Sequence, residues 1–108
     1  MINWAHVDEL KAEMDEAFDE VVAMFLEEAG EVVGRLETSA EPARYQADLH
    51  FLKGAALNLG FDRFAEMCAE GEATAAAGQP EQVALPEIID TYRASVRELE
   101  KGLAIRAA

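Results

Sequence analysis

The sequence predicts an all-α protein: an up-down-up-down antiparallel four-helix bundle with a short additional N-terminal helix. Three observations predict it. Apolar residues recur at helical spacing along the whole chain, and the period-2 alternation of a half-buried strand is missing. The breaks between helical stretches are short, which favours antiparallel neighbours. Each long stretch carries one apolar stripe that must be buried against the others.

Asn3 caps the short first helix, which carries Trp4, Val7, Leu10 and Met14. In the longer helix that follows, Phe18, Val21, Val22, Phe25, Ala29, Val32, Val33 and Leu36 mark one stripe. It ends in ETSAEP, where Ser39 or Glu41 precedes Pro42, a residue suited to a first helical turn. The third helix runs from about Ala43 to Leu59 and closes on Gly60 as its C-terminal glycine. Asp62 caps a fourth helix through Phe64, Met67 and Cys68 that fades into ATAAAGQP, where Pro80 breaks the chain. The last helix starts near Pro86 and carries Ile88, Ile89, Tyr92, Val96, Leu99 and Leu103.

At 108 residues and 51% hydrophobic, the chain is one domain with a single core, spanning 1–108. Nine Lys and Arg stand against 22 Asp and Glu, a net charge of −13. Such a chain repels phosphate backbones and anionic lipid, so neither nucleic acid nor a membrane surface is expected as a partner. The single cysteine, Cys68, excludes an internal disulfide and fits a reducing, cytoplasmic setting. MINWAHVDEL has no basic segment followed by an apolar run, so no signal peptide is read. Nowhere do about 18 apolar residues run together to span a bilayer. Starting at Met1 with no recognisable fused domain, the chain reads as free-standing. A monomer is expected, because each helix needs its one stripe for the core.

The third helix holds the chemistry. Tyr45, Leu49, Leu52, Ala56 and Leu59 recur at spacings of four, three, four and three, and define its core seam. His50 lies roughly 140° from the centre of that seam and faces solvent. Lys53 falls on the same outer face one turn on, its charge within reach of the imidazole. Gly54, beside His50, leaves the space above the imidazole open, although a mid-helix glycine costs about 1 kcal/mol relative to alanine. Leu57 and Asn58 continue the patch, and Phe51 sits at its boundary. A neutral exposed imidazole is a nucleophile, and a lysine one turn away suits an anionic group such as a phosphoryl of about −2 charge. Types and spacing together describe a phosphate-carrying histidine.

The stretch HFLKGAALNLGF, residues 50–61, resembles the signature of histidine-containing phosphotransfer (HPt) domains, His-x-Leu-Lys-Gly followed by Leu-Gly. His50, Leu52, Lys53, Gly54, Leu59 and Gly60 carry the match. Looser similarity covers AFDEVVAMFLEEAGEVVGRLE on the second helix and FAEMCAEGE on the fourth. The resemblance implies a helical bundle that shuttles phosphoryl groups between aspartates of response-regulator receiver domains, or from a hybrid histidine kinase. His50 would be the phosphoryl acceptor, Lys53 would neutralise the phosphoryl oxygens, and Gly54 would admit the receiver aspartate. A receiver would dock on the first two helices and the edge of the third, with Met14, Phe18, Phe51 and Ala55 as contacts beside Leu57 and Asn58. The resemblance implies no cofactor in this chain; the Mg²⁺ would come with the receiver. One departure stands out. Where the family places an apolar residue before a late Glu or Gln of the fourth helix, this chain has Gly71-Glu72. The helix end is therefore expected to be loose, and a part for Glu72 near the histidine is in doubt.

Other classes fare worse. A di-iron bundle needs Glu-x-x-His, but Asn3 and Ala47 stand three residues before His6 and His50. His6, near Glu9 and Glu13, reads as surface decoration. No glycine-rich nucleotide loop or magnesium motif supports a kinase. The remaining alternative is an interaction module that regulates a receiver or kinase without carrying phosphate; His50, Lys53 and Gly54 together argue against it.

Overall fold

The structure is a computed structural model and describes residues 1–107. It is all-helical: α1 spans Trp4–Met14, α2 Phe18–Thr38, α3 Tyr45–Leu59, α4 Asp62–Ala76 and α5 Leu85–Ala107. Single 3₁₀ turns at Asp15–Ala17, Pro42–Arg44 and Pro80–Gln82 join them. The contacts α2 with α3, α3 with α4, α4 with α5 and α5 with α2 close a four-helix ring, and α3 and α4 form its tightest pair. The centre holds Leu36, Leu49, Leu52, Phe61, Phe64 and Leu99, all essentially without solvent exposure. Tyr92 packs its ring against Phe61 and Phe64 and donates its hydroxyl to the Leu26 carbonyl, satisfying the one polar atom it carries into the core. No helix among the described residues is long and apolar enough to cross a membrane.

Three boundaries differ from the sequence reading. The third helix begins at Tyr45, because Pro42–Arg44 form a separate tight turn ahead of it. Asp62 is the first residue of α4 rather than its cap; the cap position belongs to Phe61, which bonds no side chain to the helix. The reason lies in the preceding turn. Gly60 adopts φ 73°, and the Phe61 N–H bonds back to the Ala56 carbonyl at 2.8 Å, a glycine-closed helix end. Phe61 is thereby held between two helices with its ring in the core. Finally, α4 does not loosen at Gly71. The Leu49, Ile88 and Val83 methyl groups converge there, and a Cβ on Gly71 would lie 2.9 Å from Leu49. The neighbours supply the packing that the missing side chain does not.

The leading segment is fastened at its start to two parts of the bundle, the α3–α4 turn and α5. Asn3 accepts from the His6 N–H through its side chain, capping α1 as expected, while its own N–H donates to the Gly60 carbonyl. Next to it in the chain, Trp4 lies on Gly102 of α5, where any Cβ would fall inside the indole. The Arg106 guanidinium covers that ring at 4.0 Å.

Candidate functional site

His50 stands on the face of α3 away from the core, its side chain 70% exposed. Its Nδ1 lies 2.9 Å from Glu72 Oε2 on α4. An ionised carboxylate only accepts, so Nδ1 carries the proton and donates. In the neutral ring the opposite nitrogen, Nε2, keeps its lone pair. The second carboxylate oxygen, Oε1, is buried and lies 2.9 Å from Lys53 Nζ, its one partner among the described residues. The Lys53 ammonium first, and the His50 ring after it, hold the Glu72 carboxyl below its ordinary titration range against the opposing effect of burial. His50, Lys53 and Glu72 thus form one linked unit across the α3–α4 pair.

Gly54 is exposed, and a Cβ built on it meets nothing within 4 Å. The interior therefore does not require glycine there. Side chains on a helix lean toward its N-terminus, so residue 54 would project over His50. Asn58 donates its amide to the Gly54 carbonyl at 3.1 Å, and its own carbonyl accepts from His6 Nε2–H at 2.9 Å. His6 is therefore not decoration: it satisfies one of the last carbonyls of α3, a place where an imidazole suits the helix dipole. On the N-terminal side of His50 a cavity of about 470 Å³ is lined by Ala43, Gln46, Ala47, His50 and Glu72.

Of the docking candidates, Met14, Phe51, Leu57 and Asn58 are exposed. Phe18 and Ala55 are not; they are 3% and 7% exposed and belong to the core. Phe18 opens the buried stripe of α2. Ala55 is covered because α3 packs against α2 as well as α4, so its buried arc is wider than a single seam. The same arc buries Asp48, which Arg35 of α2 grips through two hydrogen bonds of 2.7 and 3.1 Å. That ion pair, two residues before His50, raises the Arg35 guanidinium further above its ordinary value.

Glu72 is the residue whose place at the site the sequence left in doubt. A signal for it exists: on α4, Ala65 and Cys68 are buried, and Glu72 continues the same row at positions i+7 and i+4. A carboxylate at the end of an apolar row needs a partner.

No curated protein and no solved structure matches the chain. The family profile described as the Hpt domain matches residues 20–102, which covers the whole ring of α2 to α5 apart from its outermost residues. With the match spanning most of its length and including His50, Lys53, Gly54 and Glu72, the chain belongs to the Hpt domain family.

Proposed function

We propose that this protein is a histidine phosphotransfer protein of a multistep two-component phosphorelay, in which His50 takes a phosphoryl group from a receiver-domain aspartate and passes it to another. Membership of the family supplies the coarse part: Hpt domains are phosphocarrier modules that work with receiver domains and histidine kinases. The observation that supports the finer part is the hydrogen bond from His50 Nδ1 to Glu72. It selects the tautomer with a bare, solvent-facing Nε2. That lone pair attacks the phosphorus of an aspartyl phosphate in line; the N–P bond forms, the P–O bond breaks, and the aspartate leaves as a carboxylate. The return step is the same reaction reversed onto a second receiver.

Glu72 then stabilises the positive character that the ring acquires as Nε2 bonds to phosphorus. Lys53 balances the carboxylate, so that Glu72 does not repel the arriving phosphoryl group. Gly54 leaves the approach clear, with Met14, Phe51, Leu57 and Asn58 as the surface the receiver meets. The receiver brings the Mg²⁺; this chain contributes no cofactor and no ATP chemistry. We read α2 to α5 as running up-down-up-down with α1 as the added helix, and the protein as a cytoplasmic monomer. Short connections and one buried stripe per helix support that reading.

The test is label transfer from a panel of ³²P-phosphorylated receiver domains to the wild type and to His50→Ala. Label on the wild type alone, lost in acid and kept in base, is expected. Binding without label on either protein would sink the relay and favour a phosphate-independent regulator.

A further inference from the structure

Lys53 is already paired within this chain. Its ammonium is the partner of Glu72 Oε1, an oxygen that is buried and has no other among the described residues. Drawing Lys53 wholly away to a phosphoryl oxygen would leave that buried carboxylate oxygen without its counter-charge. The Asn58 amide is engaged on the Gly54 carbonyl. With Lys53 shared with Glu72, a phosphoryl group on Nε2 has room for a further donor on this face.

Side-chain direction says where that donor lies. A helical side chain covers the turn N-terminal to its own Cα, so the His50 ring overhangs residues 46 and 47. The cavity is there, and Gln46 is the only lining residue other than His50 and Glu72 with a polar side chain; Ala43 and Ala47 make the rest of its wall. Gln46 is exposed, stands one turn before His50 on the same face, and its amide has no partner among the described residues. A carboxylate in the same cavity cannot donate to a phosphoryl oxygen, whereas a primary amide can.

We propose that Gln46 is a phosphoryl-binding residue, its side-chain amide donating to an oxygen of the phosphoryl group carried on His50 Nε2 within this cavity. The proposal rests on His50 being the phosphoryl acceptor. Its consequence is a longer-lived phosphohistidine. When the N–P bond breaks, its electron pair leaves with the imidazole and the departing group loses negative charge from its oxygens in a loose transition state. A donor on those oxygens therefore stabilises the carried state more than the transition state, and slows loss to water.

The experiment loads the intact protein with phosphoramidate, whose ammonia leaves as His50 takes the phosphoryl group, so no receiver need be known. On loading, the Gln46 side-chain amide resonances are expected to shift while those of Gln79 and Gln82 stay. Gln46→Ala should shorten the phosphohistidine lifetime roughly fivefold, since only part of a hydrogen bond to a charged oxygen is lost on reaching the transition state, and Gln46→Glu should shorten it further by adding a repelling charge. Both variants should melt with the unloaded wild type, since Gln46 is on the surface. Unmoved Gln46 resonances, with equal lifetimes in all three proteins, overturn the proposal while leaving the relay intact. No phosphohistidine from phosphoramidate or from any receiver overturns the relay, and this proposal with it.

Discussion

His50 and Glu72 sit on different helices, and the 2.9 Å hydrogen bond between them puts the proton of the ring on Nδ1. The same carboxylate holds Lys53 at 2.9 Å. One side chain of α4 therefore orients the His50 imidazole of α3 and engages its neighbouring cation. The close α3–α4 packing that makes this possible depends on Gly71, whose missing side chain lets Leu49 approach α4 one residue before Glu72.

If that bond selects the reactive tautomer, removing it must slow phosphorylation of His50. Glu72→Ala should lower the rate about tenfold or more, in line with loss of a charge-assisted hydrogen bond. Glu72→Gln should lower it less, because the amide oxygen still accepts from Nδ1–H. Nitrogen-15 spectra of the imidazole give a second readout, with Nδ1 protonated in the wild type and a mixture of tautomers in Glu72→Ala. Phosphorylation of Glu72→Ala at the wild-type rate would remove Glu72 from the mechanism.

The same carboxyl makes the fold acid-sensitive in a defined direction. Its folded-state pKa lies below the ordinary value, chiefly through Lys53. A depressed carboxyl contributes stability that is complete above the unfolded-state value, about 4.3, and is lost as pH falls through the folded-state value. Urea unfolding of the wild type and Glu72→Gln should therefore differ at pH 7 in favour of the wild type. The difference should shrink in acid below that range, where Glu72 of the wild type is neutral too. A gap that widens on acidification would contradict the Lys53–Glu72 pairing.

Gly54 separates access from stability. With nothing within 4 Å of its absent Cβ, Gly54→Ala should fold and gain up to about 1 kcal/mol from lower chain entropy and better helix propensity. Gly54→Gln should fold equally well, yet its side chain would lie over His50 and suppress transfer from a receiver while sparing reaction with small phosphoramidate. Normal transfer by Gly54→Gln would mean that the receiver approaches from another side.

What was readable in the chain, and what was not, follows from the range of each interaction. The outward direction of His50 came from its angle to the Tyr45–Leu59 seam, and the structure exposes it. Gly60 announced the end of α3 because a left-handed residue there is a local requirement, met at φ 73°. Ala55 was misjudged because one seam per helix underestimates the arc buried when α3 meets both α2 and α4, whereas Phe18 is buried on the α2 stripe where periodicity put it. Glu72, Gly71 and the Trp4–Gly102 contact each depend on a partner between 22 and 98 residues away in the chain, and periodicity carries no information on which side chains meet at such separations.

The Trp4–Gly102 contact gives the sharpest stability test. A Cβ at Gly102 would occupy the space of the indole, so Gly102→Ala has to displace Trp4 and the Arg106 side chain stacked on it. Overpacking of this kind costs about 1–3 kcal/mol, against the gain of up to about 1 kcal/mol that alanine brings to a helix. The melting temperature should fall by several degrees, with Trp4 fluorescence moving toward the spectrum of an exposed indole. Pairing the change with Trp4→Ala should remove most of the penalty, because the clash then has no second partner. The distance of this contact from His50 in the fold, at the α1–α5 junction, leads to one further expectation: phosphoramidate loading of His50 in folded Gly102→Ala should match the wild type. Gly102→Ala at or above wild-type stability would show that Trp4 does not rest on α5.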